Sequence, residues 1–336
     1  MKKRLAPLLL IIILLIVVVV FSIKGKMKAV DTSNPREISF NIPEGSSVSR
    51  IAEILEEEGL ISSKNVFKFK LRTHEDRSRL KSGDYNLSTG LDMDEIIGEL
   101  VEGPDLNIIK FNIPEGYELR QIADRLEELD LIDRAEFLSL VSNKGNFEDD
   151  FEFLKELEPG QSLEGFLYPA SYEVFKNDSE RAIINRMLKA FENIYNKEIK
   201  AALVDSKLDL NGLVTLASIV EREGKLDQER PLMAAVFYNR LDIGMNLGSC
   251  ATVQFILGER KPVLSTADTR IPSEYNTYIH KGLPPAPIAS PGEKSILATI
   301  NPADVDYLYF VKTGEDGSHT FTKTFEDHKK AKKNMK

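Results

Sequence analysis

Two carboxylic side chains end a segment that is otherwise apolar on nearly all sides. The sequence from Leu213 to Val220 reads Leu-Val-Thr-Leu-Ala-Ser-Ile-Val. The next three residues are Glu221, Arg222 and Glu223. An apolar surface all round predicts a helix buried inside a domain. A carboxyl group at the end of such a helix loses hydration, which favours the protonated form that a general acid needs. These two glutamates are therefore candidates for acid–base chemistry.

Two interpretations of the glutamates stand at this point. In the first, one of them is a general acid. In the second, they mark where the helix reaches solvent, or pair with Arg222 or Arg230. Helical periodicity does not decide between the two, because both carboxylates stack over small or apolar residues one turn earlier.

An internal repeat precedes this helix. Residues 40–61 and 111–132 are identical at 13 of 22 positions, and both copies begin Phe-Asn-Ile-Pro-Glu-Gly. Each copy predicts a short strand, a Pro-Glu-Gly turn and a helix with apolar residues at helical spacing. Two copies are too few for a solenoid, so we expect small α+β modules. A purely structural duplication and a polymer-binding module are both open.

The second half of the sequence is mainly helical in pattern. Ser290-Pro291-Gly292-Glu293 has the form of a capping box, which predicts that a helix starts at Pro291. The tail predicts a hairpin turned by Asp316-Gly317, followed by a basic helix. The predicted helices cover residues 182–195, 212–222, 231–241 and 291–300, and the predicted tail strands cover 307–312 and 319–323.

The N-terminus predicts a membrane anchor. Leu5 to Ile23 gives 19 mostly apolar residues, about 28 Å of helix, which spans a bilayer. The apolar run is longer than that of a cleaved signal peptide, and it leads into lysines rather than into a cleavage site. Basic residues lie on both sides, and Lys2, Lys3 and Arg4 with the α-amino group favour a cytoplasmic N-terminus.

Composition excludes several functional classes. The formal net charge of −9 for 336 residues argues against a nucleic-acid partner, whose binding proteins present a basic surface. The single cysteine and the four scattered histidines form no zinc-site pattern. We therefore expect no metal and no cofactor.

Five motifs in one order resemble a known family. They are Leu-Ala-Ser-Ile-Val-Glu-Arg-Glu at 216–223, Val-Phe-Tyr-Asn-Arg-Leu at 236–241, Tyr-Asn-Thr-Tyr at 275–278, Gly-Leu-Pro-Pro at 282–285 and Tyr-Leu-Tyr-Phe-Val at 307–311. This set is similar to that of the YceG-like family, the MltG-type endolytic murein transglycosylases. The resemblance covers nearly the whole chain.

The resemblance implies a reaction and its catalytic residue. Members cleave the β-1,4 bond between N-acetylmuramic acid and N-acetylglucosamine in nascent peptidoglycan strands and leave a 1,6-anhydro end, which would terminate strand elongation. The family's catalytic glutamate falls on Glu221. Candidate substrate-binding residues, which offer groups that hydrogen-bond or stack on sugars, are Glu164, Asn239, Arg240, Tyr275, Asn276, Tyr278 and His319.

Two loops depart from the family pattern. Many members have Asp-Pro where this chain has Cys250-Ala251, and Asp-Thr where it has Ala170-Ser171. Neither departure removes Glu221, but both argue against a transferred role for an aspartate in those loops. We expect Cys250 to be an inert small residue, because no histidine lies near it in sequence.

The predicted architecture is α+β, with a transmembrane helix, a LysM-like α+β module and a mixed α+β catalytic domain with a helical core. The expected location is the cell membrane, single-pass, with the catalytic domain outside, and the expected partners are glycan strands, penicillin-binding synthases and the elongation machinery. A non-catalytic wall-binding scaffold is the alternative; an aminodeoxychorismate lyase fits poorly with an anchor. The predicted segments are a cytoplasmic tail (1–4), the anchor (5–23), a linker (24–37), the LysM-like module (38–105), the catalytic domain (106–328) and a basic tail (329–336).

Overall fold

The computed structural model describes residues 21–72, 80–104, 108–176 and 178–333. The chain divides into two compact units, residues 1–107 and 108–336. Residues 5–20 of the predicted anchor lie outside the described ranges. Within those ranges no helix has the length and apolar character needed to cross a bilayer. The assignment of residues 38–105 as LysM-like stays a prediction.

The first unit packs three helices against a two-stranded antiparallel sheet. Glu37 lies opposite Ser88 at one end of the sheet, and Ile42 lies opposite Gly83 at the other. Alternate strand residues point to one face, so Phe40 and Ile42 both enter the core. In chain order the elements are β1 (Glu37–Ile42), α1 (Val48–Glu57), α2 (Lys64–Arg72), β2 (Gly83–Ser88) and α3 (Met93–Glu102).

The second unit is mixed α+β and mostly helical. Its strands are β3 (Ile108–Asn112), β4 (Ser171–Phe175), β5 (Tyr309–Lys312) and β6 (His319–Thr322). Its helices are α4 (Leu119–Glu128), α5 (Arg134–Val141), α6 (Glu180–Ile194), α7 (Leu210–Glu223), α8 (Arg230–Asp242), α9 (Cys250–Leu257), α10 (Glu293–Ile300) and α11 (Phe325–Lys333). Single helical turns lie at Lys144–Asn146, Glu152–Glu156, Tyr195–Ile199, Lys200–Ala202, Leu203–Asp205, Asp227–Glu229 and Asp268–Arg270.

Helix α7 lies between two hydrophobic clusters of this unit. Leu213 and Val214 belong to a large cluster that includes α4, α5 and α6. Ile219 and Val220 belong to a second cluster, with residues of α8 and α9. A helix enclosed by two clusters has no polar face, which explains its uniformly apolar sequence. The predicted buried helix is confirmed.

The repeat is structural, and it extends beyond the identical residues. In each copy a strand, a turn with a left-handed glycine and a helix follow one another, with φ of 76° at Gly45 and 75° at Gly116. The phenylalanine that opens each copy packs on a tyrosine of the partner strand. The ring centroids are 5.7 Å apart for Phe40 and Tyr85, and 5.6 Å apart for Phe111 and Tyr172. Both tyrosine hydroxyls donate to the carbonyl four residues earlier.

The predicted tail hairpin is confirmed, but the prediction of a capping box at Ser290 is wrong. Strands β5 and β6 pair antiparallel, with Tyr309 opposite Thr322. Helix α10 starts at Glu293 with Gly292 at its N-cap, and Ser290 lies before the helix. The Ser290 main chain bonds instead to the second repeat turn, donating to Tyr117 O (2.8 Å) and accepting from Gly116 N (2.8 Å). A tertiary contact therefore overrides the local capping signal.

Candidate active site at the end of helix α7

Helix α7 carries Glu221 to the edge of a packed interior. The helix begins after Asp209, whose carboxylate accepts the Gly212 N–H at 2.7 Å, as an N-cap residue does. Residues 213–220 are all buried. The helix ends at Glu223, and the next residue, Gly224, donates its N–H to the Val220 carbonyl at 2.8 Å. The Glu221 side chain lies in the last turn and is only 6% exposed.

Three groups bind the Glu221 carboxylate. Arg230 Nη1, from α8, donates to Glu221 Oε1 at 3.1 Å. The Gly292 N–H donates to Oε2 at 3.0 Å, and Ser295 Oγ of α10 donates to the same oxygen at 2.8 Å. Arg230 Nη1 also donates to Ser295 Oγ at 2.6 Å. The carboxylate is thus fixed in position by two neighbouring elements.

The Glu221–Arg230 pair is buried on both sides. The Arg230 side chain is 7% exposed, so neither charge is well hydrated. Such a pair is held by its hydrogen bonds, and removal of one partner costs about 3–5 kcal/mol. The structure therefore contains the Arg230 pairing that the sequence left as one interpretation. Arg230 pairs with Glu221 as a carboxylate. The pairing alone does not decide whether Glu221 also acts as a general acid.

Glu115, in the turn of the second repeat copy, adjoins Glu221. Its carboxyl group packs on Gly292, so closely that a side chain at position 292 would overlap it. Burial raises the pKa of Glu115, and the negative charge of Glu221 raises it further, whereas Arg230 and Lys294 oppose the rise. Two carboxyl groups therefore contact the same glycine.

A second buried carboxylate lies beside Arg222. Arg222 Nη1 donates to Glu118 Oε1 at 2.7 Å, and both side chains are under 5% exposed. Arg120 Nη2 pairs with Glu118 Oε2. Glu118 immediately precedes α4. The ion pair therefore joins the last turn of α7 to the start of α4.

Glu164 binds the N-terminus of α4. Both of its oxygens accept the Leu119 N–H, at 3.1 and 3.2 Å. Burial raises the pKa of Glu164 to about 8, although the Leu119 N–H opposes the rise. Glu164 is 7% exposed and faces a helix terminus. Its predicted role in substrate binding stays a prediction.

The comparisons with known proteins place the whole second unit in one family. A family model described as the YceG-like family matches residues 40–334. The chain belongs to the YceG-like family. The match includes the repeat, α7 with its glutamates, and the tail hairpin, so the YceG-like assignment covers every element around Glu221.

Two relatives of this YceG-like chain are named endolytic murein transglycosylases. The chain is 33% identical over 320 residues to an endolytic murein transglycosylase of Bacillus subtilis (strain 168), covering 92% of this chain and 88% of that protein. It is 32% identical over 324 residues to an endolytic murein transglycosylase of Streptococcus pneumoniae (strain ATCC BAA-255 / R6), covering 89% of this chain. The chain spans 58% of that pneumococcal protein.

A solved structure shares this fold. The 2.6 Å crystal structure of a putative yceG-like protein from Listeria monocytogenes is 35% identical, with a TM-score of 0.60. The match covers 88% of this chain and 99% of that chain. The fold is thus common to YceG-like proteins beyond this sequence.

Glu223 has different partners from Glu221. Ser249 Oγ donates to Glu223 Oε1 at 2.5 Å, and the Ala251 N–H lies 3.5 Å from the same oxygen. A carboxylate at a helix N-terminus is stabilised by the free N–H groups there, so Glu223 supports the start of α9. Cys250 Sγ lies 3.0 Å from the Tyr278 hydroxyl in the same cluster. Burial raises the pKa of Cys250, which opposes thiolate formation.

Three other predicted residues of this YceG-like chain bind main-chain carbonyls. Asn239 Nδ2 donates to the carbonyls of Val305 (2.8 Å) and Tyr307 (2.9 Å). Arg240 Nε donates to Leu308 O at 2.7 Å, and Asn276 Nδ2 to Ile271 O at 2.9 Å. The Asn239 and Arg240 bonds connect α8 to the segment before β5, whereas the Asn276 bond lies within residues 271–276. The roles of these three residues in sugar binding stay predictions.

The last two predicted residues contact groups other than Glu221. The Tyr275 ring packs on Phe255 with centroids 5.1 Å apart. His319 Nδ1 lies 2.8 Å from Glu229 Oε2, and the main-chain N–H of His319 donates to Glu229 Oε1 at 3.0 Å. This double contact ties the tail hairpin to the start of α8.

The groups that touch Glu221 were only partly visible in the sequence. Arg230 was named as a pairing partner because it follows the motif closely. Ser295 and Gly292 carried no signal, since they lie more than 70 residues away and contact Glu221 only after folding. Glu115 was marked as part of the repeat, but nothing in sequence distinguished it from Glu44.

Proposed function

We propose that this YceG-like protein is an endolytic murein transglycosylase in which Glu221 transfers the proton. The observation that carries the proposal is one carboxylate fixed at the edge of a packed interior by Arg230, Gly292 and Ser295. Family membership and the named relatives support the reaction class. The non-catalytic scaffold is the less favoured alternative, because those relatives are named as enzymes.

The first step breaks the glycosidic bond. Protonated Glu221 gives its proton to the oxygen between N-acetylmuramic acid and N-acetylglucosamine, and the electron pair of the C1–O bond leaves with that oxygen. Positive charge develops at C1, as in glycoside hydrolysis. Glu221 is left as the carboxylate, the form in which Arg230 pairs with it.

The second step closes the anhydro ring. The C6 hydroxyl of the muramic acid attacks C1, and the Glu221 carboxylate takes the hydroxyl proton. Glu221 is thereby protonated again, so one group serves both steps and no water is consumed. The nucleophile already belongs to the substrate, which avoids the entropy cost of recruiting a second molecule.

The contacts distinguish the two carboxylate oxygens. Oε2 accepts from both Gly292 and Ser295, whereas Oε1 accepts from Arg230. A carboxylate oxygen has two lone-pair positions, so Oε1 keeps one free. Oε1 is the atom from which the proton leaves in the first step and to which it returns in the second.

The proposal extends to the cell. Residues 5–23 anchor the chain in the membrane with a cytoplasmic N-terminus, and residues 108–336 act outside on nascent strands. The first unit holds the glycan as a LysM-like module. The expected protein partners are penicillin-binding synthases and the elongation machinery, because these produce the strands that the enzyme cuts.

Digestion of purified glycan strands in H₂¹⁸O tests the reaction class. The wild-type protein is expected to release 1,6-anhydro ends without ¹⁸O, since no water enters the reaction. Reducing ends that carry ¹⁸O would indicate a hydrolase instead. Strands that are bound in a pull-down but uncut would favour the scaffold. Both products are resolved by mass spectrometry.

A further inference from the structure

The turn that carries Glu115 is held against the segment before α10. The Gly116 N–H donates to Ser290 O at 2.8 Å, and the Ser290 N–H donates to Tyr117 O at 2.8 Å. Gly116 has φ of 75°, a left-handed conformation that favours glycine. Two reciprocal main-chain bonds therefore fix the position of the Glu115 backbone.

Glycines allow the carboxyl groups of Glu115 and Glu221 to come together. The Gly292 N–H donates to Glu221 Oε2. The Glu115 carboxyl group occupies the space that a Cβ atom at position 292 would take. At Gly116, a Cβ atom would lie 3.6 Å from Glu221 Cγ, in ordinary van der Waals contact. The turn therefore packs directly on the Glu221 side chain.

The first repeat copy places the same glutamate in different surroundings. Glu44 occupies the same Pro-Glu-Gly turn, and Gly45 has φ of 76°. Within the described part of the chain, no atom beyond its immediate neighbours lies within 4 Å of a Cβ built on Gly45, and Glu44 is exposed. Identical local sequence thus gives a solvated carboxylate in one copy and a neighbour of Glu221 in the other.

Glu115 is nevertheless open to solvent on one side. The residue is exposed overall, while the Glu221 side chain is 6% exposed. Of the two carboxyl groups, that of Glu115 is therefore the more accessible from solvent. The charged and titratable groups that act on Glu115 are Glu221, Arg230, Lys294, Asp227 and Tyr168.

We propose that Glu115 is a second active-site carboxyl, which contacts the sugar ring as a carboxylate and stabilises the positive charge that develops at C1. The inference rests on the proposed function and adds a residue to it. Glu115 forms no covalent bond and transfers no proton, since Glu221 supplies and recovers the proton. A fixed negative group beside a developing positive charge lowers the energy of the transition state more than that of the ground state.

The role of Glu115 is tested by comparing Glu115→Gln with Glu44→Gln. The second variant is the matched control, because both changes are made in the same turn sequence. We expect Glu115→Gln to lower kcat on the order of 100-fold with KM changed little, as for removal of one preorganised electrostatic group. We expect kcat to lose the acidic limb of its pH profile, because that limb reports protonation of Glu115. Glu44→Gln is expected to keep the wild-type kcat and pH profile.

Two further variants separate charge from structure. Gly292→Ala keeps the N–H that binds Glu221 but displaces the Glu115 carboxyl, so it should reproduce the loss in kcat. Glu115→Asp keeps the charge and should retain more activity than Glu115→Gln. Equal losses in Glu115→Asp and Glu115→Gln would overturn the proposal in favour of a structural role. Thermal melting of each variant verifies folding.

The outcomes distinguish this inference from the proposed function. Wild-type kcat and pH profile in Glu115→Gln, with Glu221→Gln inactive, would overturn the role of Glu115 alone. Full activity in both variants would overturn the assignment of Glu221 as well. The same glycan strands and the same mass-spectrometric readout serve for all the variants.

Discussion

Buried glutamates of the second unit differ in what compensates their charge. Glu221 pairs with Arg230, and Glu118 pairs with Arg222 and Arg120. The Glu164 carboxyl accepts the main-chain N–H of Leu119 at the start of α4, and its pKa is raised to about 8 by burial. With a pKa of about 8, the Glu164 carboxyl is mostly protonated at neutral pH.

The raised pKa of Glu164 predicts a pH-dependent stability. The ordinary pKa of 4.5 applies to the unfolded chain, and the folded value is about 8. Between these values the folded chain binds more protons than the unfolded chain, so the free energy of unfolding falls as pH rises. Glu164→Gln keeps an acceptor for Leu119 and removes this loss. We expect its Tm to exceed that of wild type by about 5 °C near pH 8.

The Tm difference should shrink as pH falls and be small at pH 4.5, where the folded chain holds the Glu164 proton and half of the unfolded chains hold it too. Glu158→Gln, a change at an exposed glutamate of the same unit, is the control and should follow wild type throughout. A Tm difference that is constant with pH would contradict the prediction. Differential scanning calorimetry from pH 4.5 to 8.5 makes the measurement.

At the scale of elements, α7 is both the core helix and the support of the site. Two hydroxyl residues lie inside it, and both are fully buried. Ser218 Oγ donates to Thr215 O at 2.7 Å and accepts the Ile288 N–H at 3.0 Å. Thr215 Oγ1 has no hydrogen-bond partner among the described residues. Ser218 thereby connects α7 to the segment that follows the prolines at 284, 285 and 287.

Ser218→Ala and Thr215→Val test this connection within one turn of one helix. Ser218→Ala leaves the buried Ile288 N–H without an acceptor and should cost about 1–3 kcal/mol of unfolding free energy. Thr215→Val removes a hydroxyl that is already unpaired and should be neutral within about 1 kcal/mol, or stabilising. Denaturant unfolding compares them. Equal destabilisation by the two changes would contradict the assigned role of Ser218.

The sequence predicted elements better than it predicted their assembly. The strand–turn–helix of both repeat copies, the buried α7 and the tail hairpin follow from periodicity and turn residues, which act locally. The capping box at Ser290 failed because that residue bonds to the repeat turn. The second strand of each repeat copy was missed, since Tyr85 and Tyr172 lie outside the identical residues.

For the candidate site, too, local sequence patterns predicted single residues but not their tertiary contacts. Glu221 was identified by its motif and its buried helix, and Arg230 by its nearness in sequence. Ser295 and Gly292 reach Glu221 through the packing of α10 on α7, which local patterns do not encode. The different surroundings of Glu44 and Glu115 likewise arise only from tertiary contacts.

At the scale of the whole molecule, the proposed membrane topology places three basic residues in a different compartment from the acidic residues. The formal net charge is −9, from 44 basic and 53 acidic residues. If Lys2, Lys3 and Arg4 lie in the cytoplasm, 44 − 3 = 41 basic residues face 53 acidic residues elsewhere, a net charge of −12. Sugar hydroxyl and acetamido groups are uncharged, so an acidic body does not repel the glycan backbone.

A reporter fused after Lys336 tests this topology. We expect a phosphatase that is active only outside the cytoplasm to be active in the fusion, because the positive residues before the apolar segment favour a cytoplasmic N-terminus. A fusion at the same site to a reporter that is active only in the cytoplasm is the control and should be silent. The reverse pattern would contradict the proposed location.

The most direct test of the central claim is a digest of purified peptidoglycan with wild-type, Glu221→Gln and Glu223→Gln proteins. Glutamine at 221 still accepts hydrogen bonds but carries no transferable proton, so we expect loss of at least about 100-fold in the release of 1,6-anhydro muropeptides. Glu223→Gln keeps an acceptor for Ser249 and should retain activity. Full activity in Glu221→Gln, with loss in Glu223→Gln, would contradict the account and place the chemistry on Glu223.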